Sequence, residues 1–263
     1  MSTTAKEGPR FPVRMTRFAF FTGVLAIVLL AIAGPAYRLH VLSLGLALLG
    51  AASGFLLFVV TFIIGAIGLL AGGKGALDRS RAAIPVIALS LIFTIVAGVW
   101  ISRGSGTPPI HDVTTDPQDP PKFNNVVSLR AAAGAVNSSA YQRTQLIHGN
   151  LLKVPDAQRS AYPDIQPLAL TQPAPRTFQM AQQVARDMGW DIVAVAPSEG
   201  RIEATATTWY FGFKDDVVIR VGPESTGSRV DVRSESRVGV GDAGTNARRV
   251  RAYLAKLREL AAK

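Results

Sequence analysis

Three long apolar runs in the first hundred residues limit what this chain can fold into more than any other feature. They are residues 18–37, 41–70 and 84–101, and none contains Asp, Glu, Lys or Arg. A bilayer core takes about 20 apolar residues in a helix, so each run is long enough to span it. The second run exceeds one crossing and would tilt or protrude. Because transport paths need charged groups within the membrane, the runs predict an anchor rather than a transporter.

The basic residues around these runs predict the orientation of the chain. Residues 1–104 hold nine Lys and Arg against two acidic residues, whereas residues 105–263 hold nineteen against sixteen. The loop at 72–83 is basic, and only Arg38 is basic between the first two runs. Basic residues favour the cytoplasm, so we predict a multi-pass inner-membrane protein with a cytoplasmic N-terminus and a periplasmic C-terminal domain. A basic arm before the first run agrees with this; it contains Lys6, Arg10, Arg14 and Arg17.

Two features of the membrane part, residues 1–104, leave alternatives open. Residues 31–34 read Ala-Ile-Ala-Gly and resemble a signal-peptidase site after an apolar core. Cleavage there would still leave two spans and deliver the rest of the chain to the same side. Gly50 and Gly54 stand four positions apart, a spacing that lets helices approach closely. They would serve either self-association through the second span or packing among the three helices.

A proline-rich stretch, residues 105–122, follows the third run. Its five prolines disfavour a helix and predict an extended or irregular stalk. Oxygen and imidazole groups within it could hold a metal; they belong to His111, Asp112, Asp116 and Asp119. Their spacing matches no calcium loop, so we predict no metal and no cofactor. The alternative is a segment docked on the following domain, with Asp and Thr side chains capping turns.

The remaining residues, 123–263, are predicted to form an α+β domain. Apolar residues recur at helical spacing over 177–188 and 245–260, which predicts two helices. Alternating residues separated by turn signals predict four consecutive strands; these are 190–196, 201–210, 216–221 and about 229–237. We therefore expect a two-layer fold, in which a four-stranded antiparallel meander is covered by the two helices.

The alternation within the strands gives the predicted sheet one apolar face and one charged face. The residues of the charged face are Arg201, Glu203, Arg220, Arg229, Asp231, Arg233, Glu235 and Arg237. This face would be either solvated, with ion pairs between neighbouring strands, or a docking surface for a partner or for the stalk.

A glycine-rich turn between the last strand and the last helix is the first candidate ligand site. Residues 239–244 spell G-x-G-x-x-G, but a dinucleotide site needs parallel strands, and the preceding strand lies in a meander. Free N–H groups at such a turn could still bind an anion. The residues assigned to this anion site are Arg237, Gly239, Gly241, Arg248 and Arg249. The alternative is a tight connection in which a polar side chain at 242–246 caps the helix.

Two adjacent carboxylates, Asp215 and Asp216, follow an aromatic stretch at 209–213 and form the second candidate site. They could line the mouth of a pocket, although neighbours on a strand point to opposite faces, which disfavours a carboxylate dyad. The alternative is a hairpin turn in which Asp216 pairs with an arginine across the sheet. An enzyme would gather these residues with His111, Asp112 and Arg237 into one cleft that holds buried, unpaired carboxylates.

Several phrases in one order resemble a known family over about residues 107–260. They are TPPIHDVTTD, AYPDIQPL, MGW, GRIEATATT, FGFKDDVVIRV, GSRVDVRSESRVG and NARRVRAYLAKL. These phrases look like those of the domain of unknown function family numbered 1499, whose bacterial members are commonly fused to N-terminal membrane spans. The resemblance implies no assigned activity, so it supplies no catalytic residue.

The predicted function is binding at a membrane. We expect a membrane-anchored, non-enzymatic domain that binds an envelope protein partner or an anionic ligand, with the lipid bilayer as its other partner. The alternative is an envelope hydrolase or transferase with a site between the stalk and the loops at 209–216 and 237–249. Nucleic acid is not an expected partner, because the net charge of +10 comes mostly from the membrane flanks.

Overall fold

Three long helices begin the chain in the computed structural model, which describes residues 10–79, 81–147 and 149–263. They are α1 (Arg10–Arg38), α2 (Leu44–Arg79) and α3 (Ile84–Gly104). Each contains a stretch long and apolar enough to cross a membrane, which confirms the three apolar helices expected from the sequence. Lys6 of the basic arm lies outside the described residues.

Helix α2 extends further than predicted and packs closely against α1. Residues 72–79, expected to form a loop, continue the helix, because no proline interrupts its hydrogen-bond ladder there. A Cβ at Gly54 would lie 2.9 Å from Leu30 Cγ and 3.2 Å from the Ala26 carbonyl oxygen, both in α1. Gly54 therefore serves packing within the helical unit, while self-association stays a prediction.

The α+β domain that follows contains eight strands and four α-helices within the described residues. In chain order they are β1 (Asp112–Thr114), α4 (Val126–Ala132), β2 (Thr144–Ile147), β3 (Asn150–Lys153), α5 (Val154–Ala161), β4 (Leu168–Leu170), α6 (Ala174–Asp187), β5 (Asp191–Ala196), β6 (Arg201–Thr207), β7 (Lys214–Glu224), β8 (Gly227–Ser236) and α7 (Thr245–Ala261).

The main sheet contains the predicted meander and two further short strands. Its order is β1-β8-β7-β6-β5, and β4 pairs with β8 at the other end of the same edge. All of these pairs are antiparallel. Strands β2 and β3 form a separate hairpin. The register places Glu203 opposite Val218 and Val218 opposite Arg233, so the charged residues share one face as predicted.

Helices α6 and α7 cover the apolar face and complete the hydrophobic core. The buried sheet residues of this core include Ile202, Val217, Ile219, Val230 and Val232. Tyr253 of α7 joins the two helices, because its hydroxyl donates to the Ala181 carbonyl of α6 at 2.9 Å. Its ring also stacks on Trp190, with the ring centroids 5.3 Å apart. Sheet and helices thus form the expected two layers.

The stretch predicted as a stalk contributes to this domain. Ile110 and Val113 are buried in the hydrophobic core, and residues 112–114 form β1, which pairs with residues 233–235 of β8. The domain therefore begins before residue 123. The prolines around β1 exclude a helix but not a short edge strand. Proline lacks an N–H group, and an edge strand makes ladder hydrogen bonds to a neighbouring strand on one side only.

Candidate functional site

Most of the charged face of the sheet is buried, while Arg201, Arg220 and Arg229 remain partly exposed, so of the two alternatives the solvated surface does not hold. Glu203, Asp216 and Glu235 have no exposed surface. The segment at 116–141, which includes α4, covers this face, and the ring of Phe123 lies 4.7 Å from the Arg233 guanidinium. The docking alternative therefore describes this face, with part of the predicted stalk as the docked segment.

Six charged side chains form a continuous cluster under this cover, called here the ion network. Its members are Asp112, Arg130, Asp216, Arg233, Glu235 and Arg237. Arg130 of α4 contacts Asp216 at 2.8 Å and Glu235 at 2.9 Å. Arg237 also contacts Asp216, at 2.8 Å. Three arginines thus face three carboxylates, and the cluster is balanced in formal charge.

Arg233 occupies the centre of the ion network. Its guanidinium donates to both oxygens of Asp112 and, at 3.2 Å, to Glu235. The remaining donors reach the carbonyl oxygens of Pro121 and Ser139 in the covering segment. Through these contacts Arg233 links β8, β1 and the covering segment.

Glu235 is the titratable member of this network. Burial raises the pKa of Glu235 to about 8, with a further contribution from the charge of Asp112, while Arg233 and Arg130 act in the opposite direction. A protonated carboxyl costs less to bury than a carboxylate, so the desolvated position favours the neutral form.

Glu203, next to the network, holds the start of the covering helix. Its carboxylate accepts backbone N–H groups from Asn124, Asn125 and Val126 at 3.1, 3.1 and 2.9 Å. A helix start leaves such donors without partners inside the helix, and a carboxylate is the best acceptor for them. Arg201 pairs with the same carboxylate. The carboxylate of Glu203 thus occupies the place at the start of α4 where an external anion would otherwise bind.

The residues expected in an enzymatic cleft lie on both faces of the sheet. Asp112, Asp216 and Arg237 belong to the ion network. Asp215 points to the other face and pairs with Arg249 of α7. The two adjacent carboxylates therefore do not form a dyad. Asp216 pairs with arginines as the alternative expected, but both aspartates lie in strand β7 and not in the turn.

The glycine-rich turn is occupied by a side chain of the protein itself. Asp242 accepts the N–H groups of Gly244 at 2.8 Å and Asn246 at 2.6 Å, which is the capping arrangement. Arg248 donates to the Ala243 carbonyl oxygen at 2.9 Å. Asp242 thus takes the N–H groups at the helix start, as the capping alternative expected, and the anion site at Gly239 and Gly241 stays a prediction.

His111 and the acidic residues of the predicted stalk serve the fold. The Nδ1 atom of His111 lies 3.3 Å from the Val240 carbonyl oxygen. Asp116 accepts the N–H groups of Gln118 and Asp119, as the capping alternative expected. Among the described residues, no three His, Asp or Glu side chains come together as a metal site.

One groove opens beside the ion network. It has a volume of about 470 Å³ and is lined by Gln118, Asp119, Pro120, Lys122, Phe123, Ser139, Ala140, Tyr141, Arg143 and Arg233. The hydroxyl of Tyr141 is buried and has no hydrogen-bond partner in the described part of the chain. Burial, followed by the charge of Asp112, raises the pKa of Tyr141. This hydroxyl is therefore a donor without an acceptor.

Sequence reasoning missed Arg130 and Tyr141, which both come from the covering segment. Arg130 contacts Asp216, 86 positions later in the chain, and nothing local in the sequence marks that pairing. The one available signal was the charged face itself. Charges at alternate positions of β8, a strand with neighbours on both sides, require a polar cover wherever that face is buried.

Comparison with known proteins gave a match to the α+β domain from a protein-family model. No curated protein matched the chain, and no solved structure did so either. A family model described as "Protein of unknown function (DUF1499)" matches residues 112–257, which include β1, the ion network and most of α7. The match covers more than half of the sequence, so the chain belongs to this family.

Proposed function

We propose that this chain is an inner-membrane protein that presents its α+β domain in the periplasm, where the domain binds an envelope ligand or a protein partner without converting it. Three apolar helices long enough to cross a membrane support the anchor. The basic residues near the N-terminus and between α2 and α3 support a cytoplasmic location for those segments.

The binding proposal rests on the ion network, in which each carboxylate is already paired with an arginine. General acid–base catalysis needs a group that can exchange a proton with a substrate within hydrogen-bond reach. Asp112, Asp216 and Glu235 are each held by at least one arginine. They are also buried under the cover. Such a cluster fixes a scaffold and leaves no carboxylate of the network free for chemistry.

Two open features of the domain are suited to binding. The first is the groove beside Arg233, which is lined in part by Tyr141, whose buried hydroxyl has no partner among the described residues. The second is the β2–β3 hairpin, where the side chains of Leu146 and Leu151 are 67% and 74% exposed. Apolar side chains that remain together in water favour a protein contact. The groove suits a ligand, and the hairpin suits a protein partner.

A ligand screen on the full chain in nanodiscs tests this proposal. The compounds are phosphates, nucleotides, divalent metals, lipid fragments and glycan fragments, and the readouts are the melting temperature and the mass of the recovered compound. Parallel photo-crosslinking from position 146 or 151 in membranes tests for a protein partner, with the exposed position 256 as the control site.

The proposal expects a raised melting temperature with a compound that is recovered unchanged, or a protein adduct specific to the hairpin positions. Recovery of a converted compound would instead support the hydrolase or transferase alternative. Absence of both a melting shift and a specific adduct would contradict the binding function.

A further inference from the structure

Some charged side chains of the groove beside Arg233 pair with an opposite charge, and others do not. Arg233 pairs with Asp112 and Glu235. Asp119, the acidic residue of the groove, pairs with Arg220 at 2.8 Å. The other two charged side chains of the lining, Lys122 and Arg143, pair with no carboxylate in the described part of the chain. The uncompensated charge at the groove is therefore positive.

Arg143 is held in place at this groove without being neutralised. Its Nη2 atom donates to the Gln118 carbonyl oxygen at 2.7 Å. A neutral carbonyl orients the guanidinium but leaves its charge and its other donors available. Arginine in this state suits an oxyanion, because its planar donors match the geometry of phosphate and carboxylate oxygens.

The Tyr141 hydroxyl adds a neutral donor beside these charges. Tyr141 lines the groove, and its hydroxyl is buried without a partner among the described residues. Buried polar groups are nearly always hydrogen-bonded in native proteins, so an unpartnered donor at a groove calls for an external acceptor. The ring of Tyr141 lies against the Arg233 guanidinium, which is 5.5 Å from the ring centroid.

We propose that this groove binds the phosphate group of an envelope molecule, with Lys122 and Arg143 supplying charge and Tyr141 supplying a neutral hydrogen bond. This inference rests on the proposed binding function and names its ligand class. A phosphate carries enough acceptor oxygens for all three donors, and its negative charge matches the two unpaired cations. The phosphate comes either from a lipid headgroup or from a soluble phosphate ester.

Calorimetric titration of the full chain in phosphatidylcholine nanodiscs tests the proposal. The probes are inorganic phosphate and glycerol 3-phosphate, and we expect saturable binding of at least one. The double variant Lys122→Gln/Arg143→Gln removes two charge-assisted contacts and should weaken binding about tenfold or more. The control variant Lys256→Gln/Arg258→Gln removes the same charges from exposed positions on α7 and should bind as the wild type does.

Tyr141→Phe separates a ligand contact from a structural role. We expect binding to weaken about threefold to tenfold. The melting temperature should not fall, because the hydroxyl makes no hydrogen bond within the described fold. A lower melting temperature with unchanged phosphate affinity would mean that the hydroxyl stabilises the fold and does not contact the ligand.

The two sources of phosphate are distinguished by repeating the titration in nanodiscs that contain phosphatidylglycerol, at a salt concentration that screens the charge of the bilayer. Weaker apparent binding of the soluble probe there supports a lipid headgroup in the groove. Unchanged binding supports a soluble ester.

Other results would overturn the inference. Equal loss of binding in the control variant would mean that overall charge, not the groove, attracts the anion. Absence of phosphate binding, together with a melting shift caused by a neutral glycan fragment, would reject the phosphate assignment and leave the binding function standing. Absence of any ligand and any protein adduct would reject both.

Discussion

Arginine is required at position 233 for its shape as well as for its charge. The guanidinium meets Asp112 with two parallel contacts, reaches Glu235 and two carbonyl oxygens, and lies against the ring of Phe123. A lysine carries the same charge on one nitrogen and cannot make this set of planar contacts. The ion network therefore depends on geometry that a conservative substitution does not preserve.

Arg233→Lys tests this dependence. Because buried carbonyl oxygens and carboxylates lose donors, we expect the free energy of unfolding to fall by about 2–4 kcal/mol. The measurement is urea unfolding of the full chain in nanodiscs, followed by Trp190 fluorescence in a background with Trp100→Phe and Trp209→Phe. Arg258→Lys, at an exposed position on α7, is the matched control and should change stability little. A similar small effect at both positions would contradict the geometric role.

Glu235 makes the stability of the domain depend on pH. Its pKa is raised to about 8 in the folded chain, from a reference value of 4.5, first by burial and then by Asp112. The folded state therefore retains a proton that the unfolded state releases between these values. This contribution to stability is fully present below about pH 4.5 and is lost as pH rises through about 8.

Glu235→Gln removes the titrating group and should flatten this dependence. The wild type is expected to lose stability with a slope approaching about 1.4 kcal/mol per pH unit over this range, before contributions from other groups. The test is urea unfolding at a series of pH values, with Glu224→Gln, at an exposed position, as the control. A Glu235→Gln profile parallel to that of the wild type would show that Glu235 titrates normally.

Strand β1 pairs with β8 on one side, and on its outer side a side chain takes the place of a further strand. Gln158 of α5 is buried, and its amide pairs with both backbone groups of Thr114. The Thr114 N–H donates to Oε1 at 3.0 Å, and Nε2 donates to the Thr114 carbonyl oxygen at 2.7 Å. A glutamine amide thus reproduces the contacts of a neighbouring strand and closes this edge against pairing with other chains.

Gln158→Leu should therefore weaken the attachment of β1. Leucine fills a similar volume but leaves the N–H and C=O groups of Thr114 without partners, so we expect a loss of about 2–4 kcal/mol in unfolding free energy. Amide hydrogen exchange should show faster exchange at Thr114, while the β6–β7 pairs stay protected. Gln166→Leu, at an exposed position, serves as the control. Unchanged protection at Thr114 would mean that Gln158 does not hold the strand.

The sequence predicts the long helices and the main strands of this protein better than it predicts the short strands and the buried ion pairs. Apolar length identifies the three helices, and alternation identifies the β5–β8 meander and its two faces. Strands β1 and β4 have three residues each, which is too few to show alternation. Burial of the charged face was one of two alternatives, because charged residues are mostly exposed, and its buried partners, such as Arg130, were missed because they are distant in sequence.

At the scale of the whole molecule, the orientation in the membrane decides which compartment the α+β domain meets. From the basic residues we propose that the connection between α2 and α3 lies in the cytoplasm and the domain in the periplasm. The chain has no cysteine, so a single introduced cysteine reports its own location. Ala82→Cys lies between α2 and α3, and Glu224→Cys lies in the α+β domain; both positions are exposed.

In intact Gram-negative cells, a small maleimide that does not cross the inner membrane should label Glu224→Cys and not Ala82→Cys. Both variants should be labelled after lysis, which controls for reactivity. The reverse pattern would place the domain in the cytoplasm and remove envelope molecules from its ligands. Because cleavage after residues 31–34 would leave the domain on the same side, labelling separates orientation from processing, and the mass of the purified chain reports the processing.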